Sequence, residues 1–173
     1  PFLLKPIDFG ANIVIHSLTK YINGNGTAMG GIIIDSGKFN YGNGLFPEFT
    51  EPSPSYHGLN YHEALGPAAF IARIRVEGLR DLGAAPSPFN SFQIIQGLET
   101  LPVRMEQHSK NALELAKWLE DQSAVSWVNY PGLASSRYSS LAKKYLPKGH
   151  SGILTFGLKG GFEAAKKVAD NTK

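Results

Sequence analysis

The chain has 173 residues, 42% of them hydrophobic and 18% charged, the balance of a globular protein and not of a disordered one. The net charge is +3, and the 17 basic residues are interleaved with 14 acidic ones without a long basic run, which argues against a nucleic-acid partner. There is no cysteine, which excludes disulfides, thiolate metal sites and a cysteine nucleophile. No apolar stretch approaches the ~20 residues of a membrane span, so no membrane partner is expected.

The sequence opens on apolar residues, Pro1-Phe2-Leu3-Leu4, without a Met, and stops at Lys173 inside an apparent helix, Phe162 to Thr172. Chain ends are usually polar and exposed, so a piece of a longer polypeptide is expected. Pro6 to Ala11 reads as a helix end and a tight entry turn. Asn12-Ile13-Val14-Ile15-His16 and Gly30-Gly31-Ile32-Ile33-Ile34-Asp35 read as strands buried on both faces. Between them lies a polar, glycine-rich connection, Ser17 to Gly26, the kind of segment in which function usually sits. Residues 38–60 show no periodicity and predict a long loop acting as a lid or an interface element.

His62 to Leu82 turns helical, with Gly66-Pro67 as a start signal and Arg73, Arg75 and Arg80 expected on its surface or at a subunit contact. Ile94, Leu98, Leu101, Met105, His108, Ala112, Leu115 and Leu119 then form one helical stripe, which Pro102 should kink or break near Leu101. After Asp121 the order is strand (Val125–Tyr130), helix (Ser139–Leu146), strand (Ile153–Leu158), helix (from Phe162), which predicts a small α/β domain.

The chemistry concentrates around Lys20. A lysine just past a buried strand can be partly desolvated, which favours the free amine that attacks a carbonyl. Ser17 and Thr19 add two hydroxyls, and hydroxyls with exposed backbone amides suit a phosphate. An amine beside a phosphate cradle is what pyridoxal 5'-phosphate requires. The same spacing also fits an ordinary loop lysine with two turn-capping hydroxyls. Gly24-Asn25-Gly26-Thr27-Ala28-Met29 is not a dinucleotide fingerprint: Met29 takes the place of the third glycine and a strand follows. His57, His62, His108 and His150 lack metal-ligand spacing, so no metal is expected.

Asn12 to Ile22, with Gly24-Asn25-Gly26 and Gly30-Gly31, resembles the cofactor-lysine signature of the Cys/Met-metabolism PLP-dependent enzymes. Asp35-Ser36-Gly37-Lys38-Phe39, Phe49 to Gly58, Ser87-Pro88-Phe89-Asn90, Gln96 to Leu101 and Tyr130-Pro131-Gly132-Leu133 resemble the O-acetylhomoserine sulfhydrylase branch. In one departure, Asn25 stands where the family commonly has His. The resemblance implies an α/β chain made of the C-terminal half of the fold-type I PLP-transferase large domain (1–104) and the start of the small C-terminal domain (105–173).

It further implies pyridoxal 5'-phosphate held as an aldimine at Lys20, with Ser17 and Thr19 on its phosphate. The reaction would take O-acetyl-L-homoserine and sulfide to homocysteine and acetate, in a cytoplasmic homotetramer. A γ-lyase or cystathionine synthase is the alternative within the family, and Tyr56-His57-Gly58 resembles a loop at the active-site mouth. The family's pyridinium aspartate and ring-stacking tyrosine would lie upstream and its substrate-carboxylate arginine downstream. The 173 residues alone are therefore expected to be inactive without complementary segments of the polypeptide, or to act as an oligomerising piece.

Overall fold

The computed structural model describes residues 2–172. Pro1 and Lys173, which carry the expectations about the chain's ends, lie outside the described residues. The chain divides into two compact units, residues 5–98 and residues 99–172 together with the first few residues.

In the first unit a 3-10 turn, Pro6–Phe9, is closed by Gly10 and leads into β1, Ile13–Ser17. A π-type turn, Leu18–Ile22, and a loop carry the chain to β2, Gly31–Asp35, which pairs antiparallel with β1 from Ile13 opposite Asp35 to Ser17 opposite Gly31. The strands fall where the β-branched runs place them, but they are not buried on both faces. Val14 is covered, whereas Ile15 is 72% exposed, and Ile32 and Ile33 are both exposed. Among the described residues this sheet has two strands, and an apolar run is covered on both faces only when layers pack against each of them.

The aperiodic segment is ordered around aromatic side chains. Helix α1, Pro47–Thr50, and α2, Tyr61–Leu65, flank a bridge between Ser53 and Leu59. Tyr41, Phe49, Tyr61 and Ala69 form a buried cluster, with the Tyr41 and Phe49 rings 4.4 Å apart. Asn60 caps α2 by accepting from the Glu63 N–H (3.0 Å) and donates to the Thr50 carbonyl (2.7 Å).

The helical stretch after His62 is segmented. It runs through α2, a 3-10 turn at Gly66–Ala68, α3 (Ala69–Arg73), a π segment (Ile74–Leu79) and α4 (Arg80–Leu82). The π segment carries Glu77, which gathers the loop. Its Oε1 accepts from Tyr61 Oη (3.0 Å), Ser53 Oγ (3.0 Å) and Ser55 Oγ (3.3 Å), and its Oε2 accepts from Arg73 Nε (2.9 Å). Arg73 is thus a half-buried clamp and not a surface residue, because it also donates to the Glu48 carbonyl (3.0 Å) and lies over the Phe49 ring. Burial by itself would raise the Glu77 carboxyl, but the hydrogen bonds from Arg73, Ser53 and Tyr61 outweigh it and hold the group below its ordinary 4.5. Burial, followed by the bond to Glu77, pushes the Tyr61 phenol up.

Helix α5, Pro88–Glu99, completes the first unit, and Ser87 Oγ accepts from the Asn90 N–H at its start (3.1 Å). The expected long helix is broken: α6 spans Leu101–Glu120, with Thr100 between the two and Pro102 in the first turn of α6, where a missing N–H costs nothing. The buried face of α6 keeps Leu101, Met105, Ala112 and Leu119 of the predicted stripe and departs from it at two positions. Leu101, Met105, Ser109, Ala112, Ala116 and Leu119 are buried, while His108 and Leu115 are exposed. Small residues face inward because Tyr130 and Leu133 pack against Ala112 and Ala116.

Strand β3, Val125–Asn129, pairs antiparallel with β4, Thr155–Leu158; α7, Ser139–Tyr145, lies between them in sequence and α8, Gly161–Asn171, follows. The Tyr130 hydroxyl, wholly buried, faces the Ser151 carbonyl (2.8 Å) and the Ser109 carbonyl (3.2 Å), and so ties the segment before β4 to α6.

Tyr130→Phe removes the donor to the Ser151 carbonyl and should lower unfolding stability by about 1–3 kcal/mol in urea denaturation. Glu77→Gln should cost about 1.5–3 kcal/mol near neutral pH, since it removes bonds to a charged acceptor. The depressed Glu77 carboxyl contributes stability above its ordinary 4.5 and loses it as the pH falls through the lower folded-state value. The gap between the parent and Glu77→Gln should therefore narrow on acidification, read from denaturation midpoints across pH.

Candidate active site

The connection between β1 and β2 is tied at its mouth and at its tip. At the mouth, the Leu18 N–H donates to the Gly30 carbonyl (2.9 Å). The Thr19 hydroxyl accepts from the Gly30 N–H (3.1 Å) and donates to the Gly30 carbonyl (3.3 Å). Further in, the Asn23 N–H donates to the Leu18 carbonyl (3.0 Å) and the Gly24 N–H to the Lys20 carbonyl (2.8 Å). At the tip, Asn23 Nδ2 donates to the Ala28 carbonyl (3.1 Å). Lys20 stands in the middle of these ties with φ −94° and ψ −125°, which interrupts the helical turn.

Ser17, Thr19 and Lys20 thus share one short segment, but in different settings. Ser17 is exposed at the end of β1, and the Lys20 side chain is exposed rather than desolvated as the sequence suggested. The Thr19 hydroxyl has its hydrogen directed to Gly30. That carbonyl is already supplied by Leu18, so the hydrogen can swing to an anion while the bond from the Gly30 N–H is kept.

The donor set fits a phosphorylated aldehyde. A primary amine and two hydroxyls lie within four residues on a tethered turn, with the amine and the Ser17 hydroxyl open to a ligand. Tyr56-His57-Gly58 forms a turn with His57 at φ 55° and its ring 5.4 Å from that of Tyr56. Among the described residues no group of three or more His, Asp or Glu side chains could hold a metal ion, and no helix is long and apolar enough to cross a membrane.

Asn23 was not singled out by sequence reasoning. It is completely buried, and its Oδ1 has no hydrogen-bond partner among the described residues. An asparagine inside a glycine-rich run reads as a turn residue, and only the packing reveals it as an anchor.

The profile of the Cys/Met metabolism PLP-dependent enzyme family matches residues 1–173, and the chain belongs to that family. Its fold is accordingly part of the fold-type I α/β architecture of these enzymes. The chain is 54% identical to an O-acetyl-L-homoserine sulfhydrylase of Leptospira meyeri over 98% of its own length and 40% of that protein's. It is 49% identical to a homocysteine synthase of Schizosaccharomyces pombe, over 99% and 41%. A crystal structure described as an O-acetylhomoserine (thiol)-lyase of Campylobacter jejuni, which contains N'-pyridoxyl-lysine-5'-monophosphate, superposes with a TM-score of 0.94. That protein is 43% identical, and the match covers 100% of this chain and 43% of the other. The chain therefore spans about two fifths of the length of these relatives.

Thr19→Val should remove both hydrogen bonds to Gly30, at about 1 kcal/mol each. The expected readout is faster amide hydrogen exchange at Gly30, with Thr19→Ser retaining the parent's protection.

Proposed function

We propose that the polypeptide carrying this chain is a pyridoxal-phosphate-dependent γ-replacement enzyme that joins sulfide to the homoserine skeleton of O-acetyl-L-homoserine, releasing acetate and forming homocysteine. The observation that carries the reading is an exposed primary amine at Lys20, held on a turn tied at both ends and followed by no competing phosphate motif. The family and the names of the relatives support the reaction class. Lys20 would attach the cofactor, and Ser17 and Thr19 would hold its phosphate with hydroxyl hydrogens.

When bound there, the cofactor supplies the electron sink for carbanions next to the amino group. Lys20 Nζ then serves as base and acid, taking the proton from the substrate α-carbon and working at the β-carbon while the acetoxy group departs from the γ-carbon. A turn fixed at both ends would restrict that amine, as a proton carrier that must stay within about 3 Å of its target requires.

We also infer that residues 1–104 belong to the cofactor-binding domain and 105–173 to the C-terminal domain. The compact units support two domains, although they divide after Leu98 and not at residue 104 and group the first few residues with the C-terminal unit. A cytoplasmic homotetramer completed by other segments of the polypeptide is part of the same proposal.

Borohydride reduction of the whole, cofactor-loaded polypeptide, followed by peptide mass mapping, should place the pyridoxyl group on Lys20. Lys20→Ala should abolish both the adduct and the turnover. Homocysteine formation from O-acetylhomoserine and sulfide should exceed release of ammonia from the same substrate. The reverse ratio would make the protein a γ-lyase instead.

A further inference from the structure

We propose that Gly97 and Ile94, one turn apart on α5, form the platform that sets the position of Lys20, with Gly97 as a positioning residue; this rests on the reading of Lys20 as the cofactor lysine. The two positions lie on one face of the helix. The Cδ1 atom of Ile94 is 3.0 Å from the point a side chain on Gly30 would occupy. Ile94 therefore backs the residue to which Leu18 and Thr19 are tied.

Gly97 meets the other anchor. A methyl group there would stand 1.8 Å from the Asn23 carbonyl oxygen, 2.5 Å from its carbonyl carbon and 2.8 Å from its Cα, against 3.4–4 Å for ordinary contact. All three atoms are backbone, so no side-chain rotation relieves the overlap. Either the helix or the turn must move by more than an ångström.

Movement of Asn23 reaches Lys20 through two short paths. Its N–H is bonded to the Leu18 carbonyl, two residues before the lysine, and the next N–H, that of Gly24, is bonded to the Lys20 carbonyl itself. Glycine at position 97 also has no local reason. Alanine would favour a helix by about 0.5–1 kcal/mol. Position 97 is not among the glycines with positive φ. What requires glycine is the close approach of the lysine turn. The amine it carries must reach a carbonyl carbon and then a substrate carbon, tasks for which an ångström matters.

The test uses the whole polypeptide, freed of cofactor and mixed with pyridoxal phosphate. Three quantities are read: the rate at which borohydride-trappable label appears on Lys20, the pH at which the bound chromophore's visible band titrates, and folding by circular dichroism. Gly97→Ala should slow labelling on the order of 10- to 100-fold and shift the band's titration. Gly78→Ala, where no atom lies within 4 Å, should stay within about twofold.

Folded Gly97→Ala with the parent's labelling rate and titration overturns the proposal. Should Gly97→Ala not fold, Ile94→Val decides: a smaller loss in the same direction supports the platform, and parental behaviour overturns it. Parent protein that labels at another lysine, or not at all, overturns the Lys20 reading and the platform with it.

Discussion

The backbone of Gly30 is where the first unit converges. Its carbonyl receives Leu18 and Thr19, its N–H is bonded to the Thr19 hydroxyl, and Ile94 closes over it. A flexible connection between two strands gains a fixed mouth from these contacts, and loop closure is repaid by hydrogen bonds that water would otherwise satisfy. Lys20 is ordered from both sides without being gripped by its own side chain. That arrangement is what the proposed role of its amine, holding a cofactor and later leaving it, would need.

A second convergence occurs at Glu77. One carboxylate collects two serines, a tyrosine and an arginine drawn from the loop and from α2 and α3. A half-buried charge would be unfavourable without such partners, and with them it becomes the fastener of an otherwise aperiodic segment. Its location in a π segment is consistent with this role, since the widened turn is a frequent companion of specialised side-chain placement. The long loop is therefore a packed element with its own aromatic core.

Much of the covered surface still ends abruptly. Ile13, Ile15, Ile32 and Ile33 on the strand pair, and Phe89, Phe92 and Ile95 on α5, are exposed. Side chains of this kind stabilise a protein by leaving water, at about 25 cal/mol per Å². The relatives are about two and a half times longer than the matched stretch.

The strands, the helices of the C-terminal half, the break ahead of Pro102 and, through a many-point resemblance, the family are legible in the residues alone. These are local or cumulative signals: β-branched runs, helical spacing, a missing proline N–H and long identity. The sequence also singled out Ser17, Thr19 and Lys20 as the chemical segment. What holds that segment emerges only from packing. Asn23 and Gly97 are far apart in the chain, and neither carries a reactive group or a periodic signal. On α6 the stripe already included Ala112, but Tyr130 and Leu133 pack against Ala116 as well, where a count of large apolar residues favoured Leu115. Spacing reports which residues share a face of one element. How closely a second backbone approaches that face depends on atoms that are absent, as at Gly97, and an absent side chain shows its purpose only when its neighbour is in place.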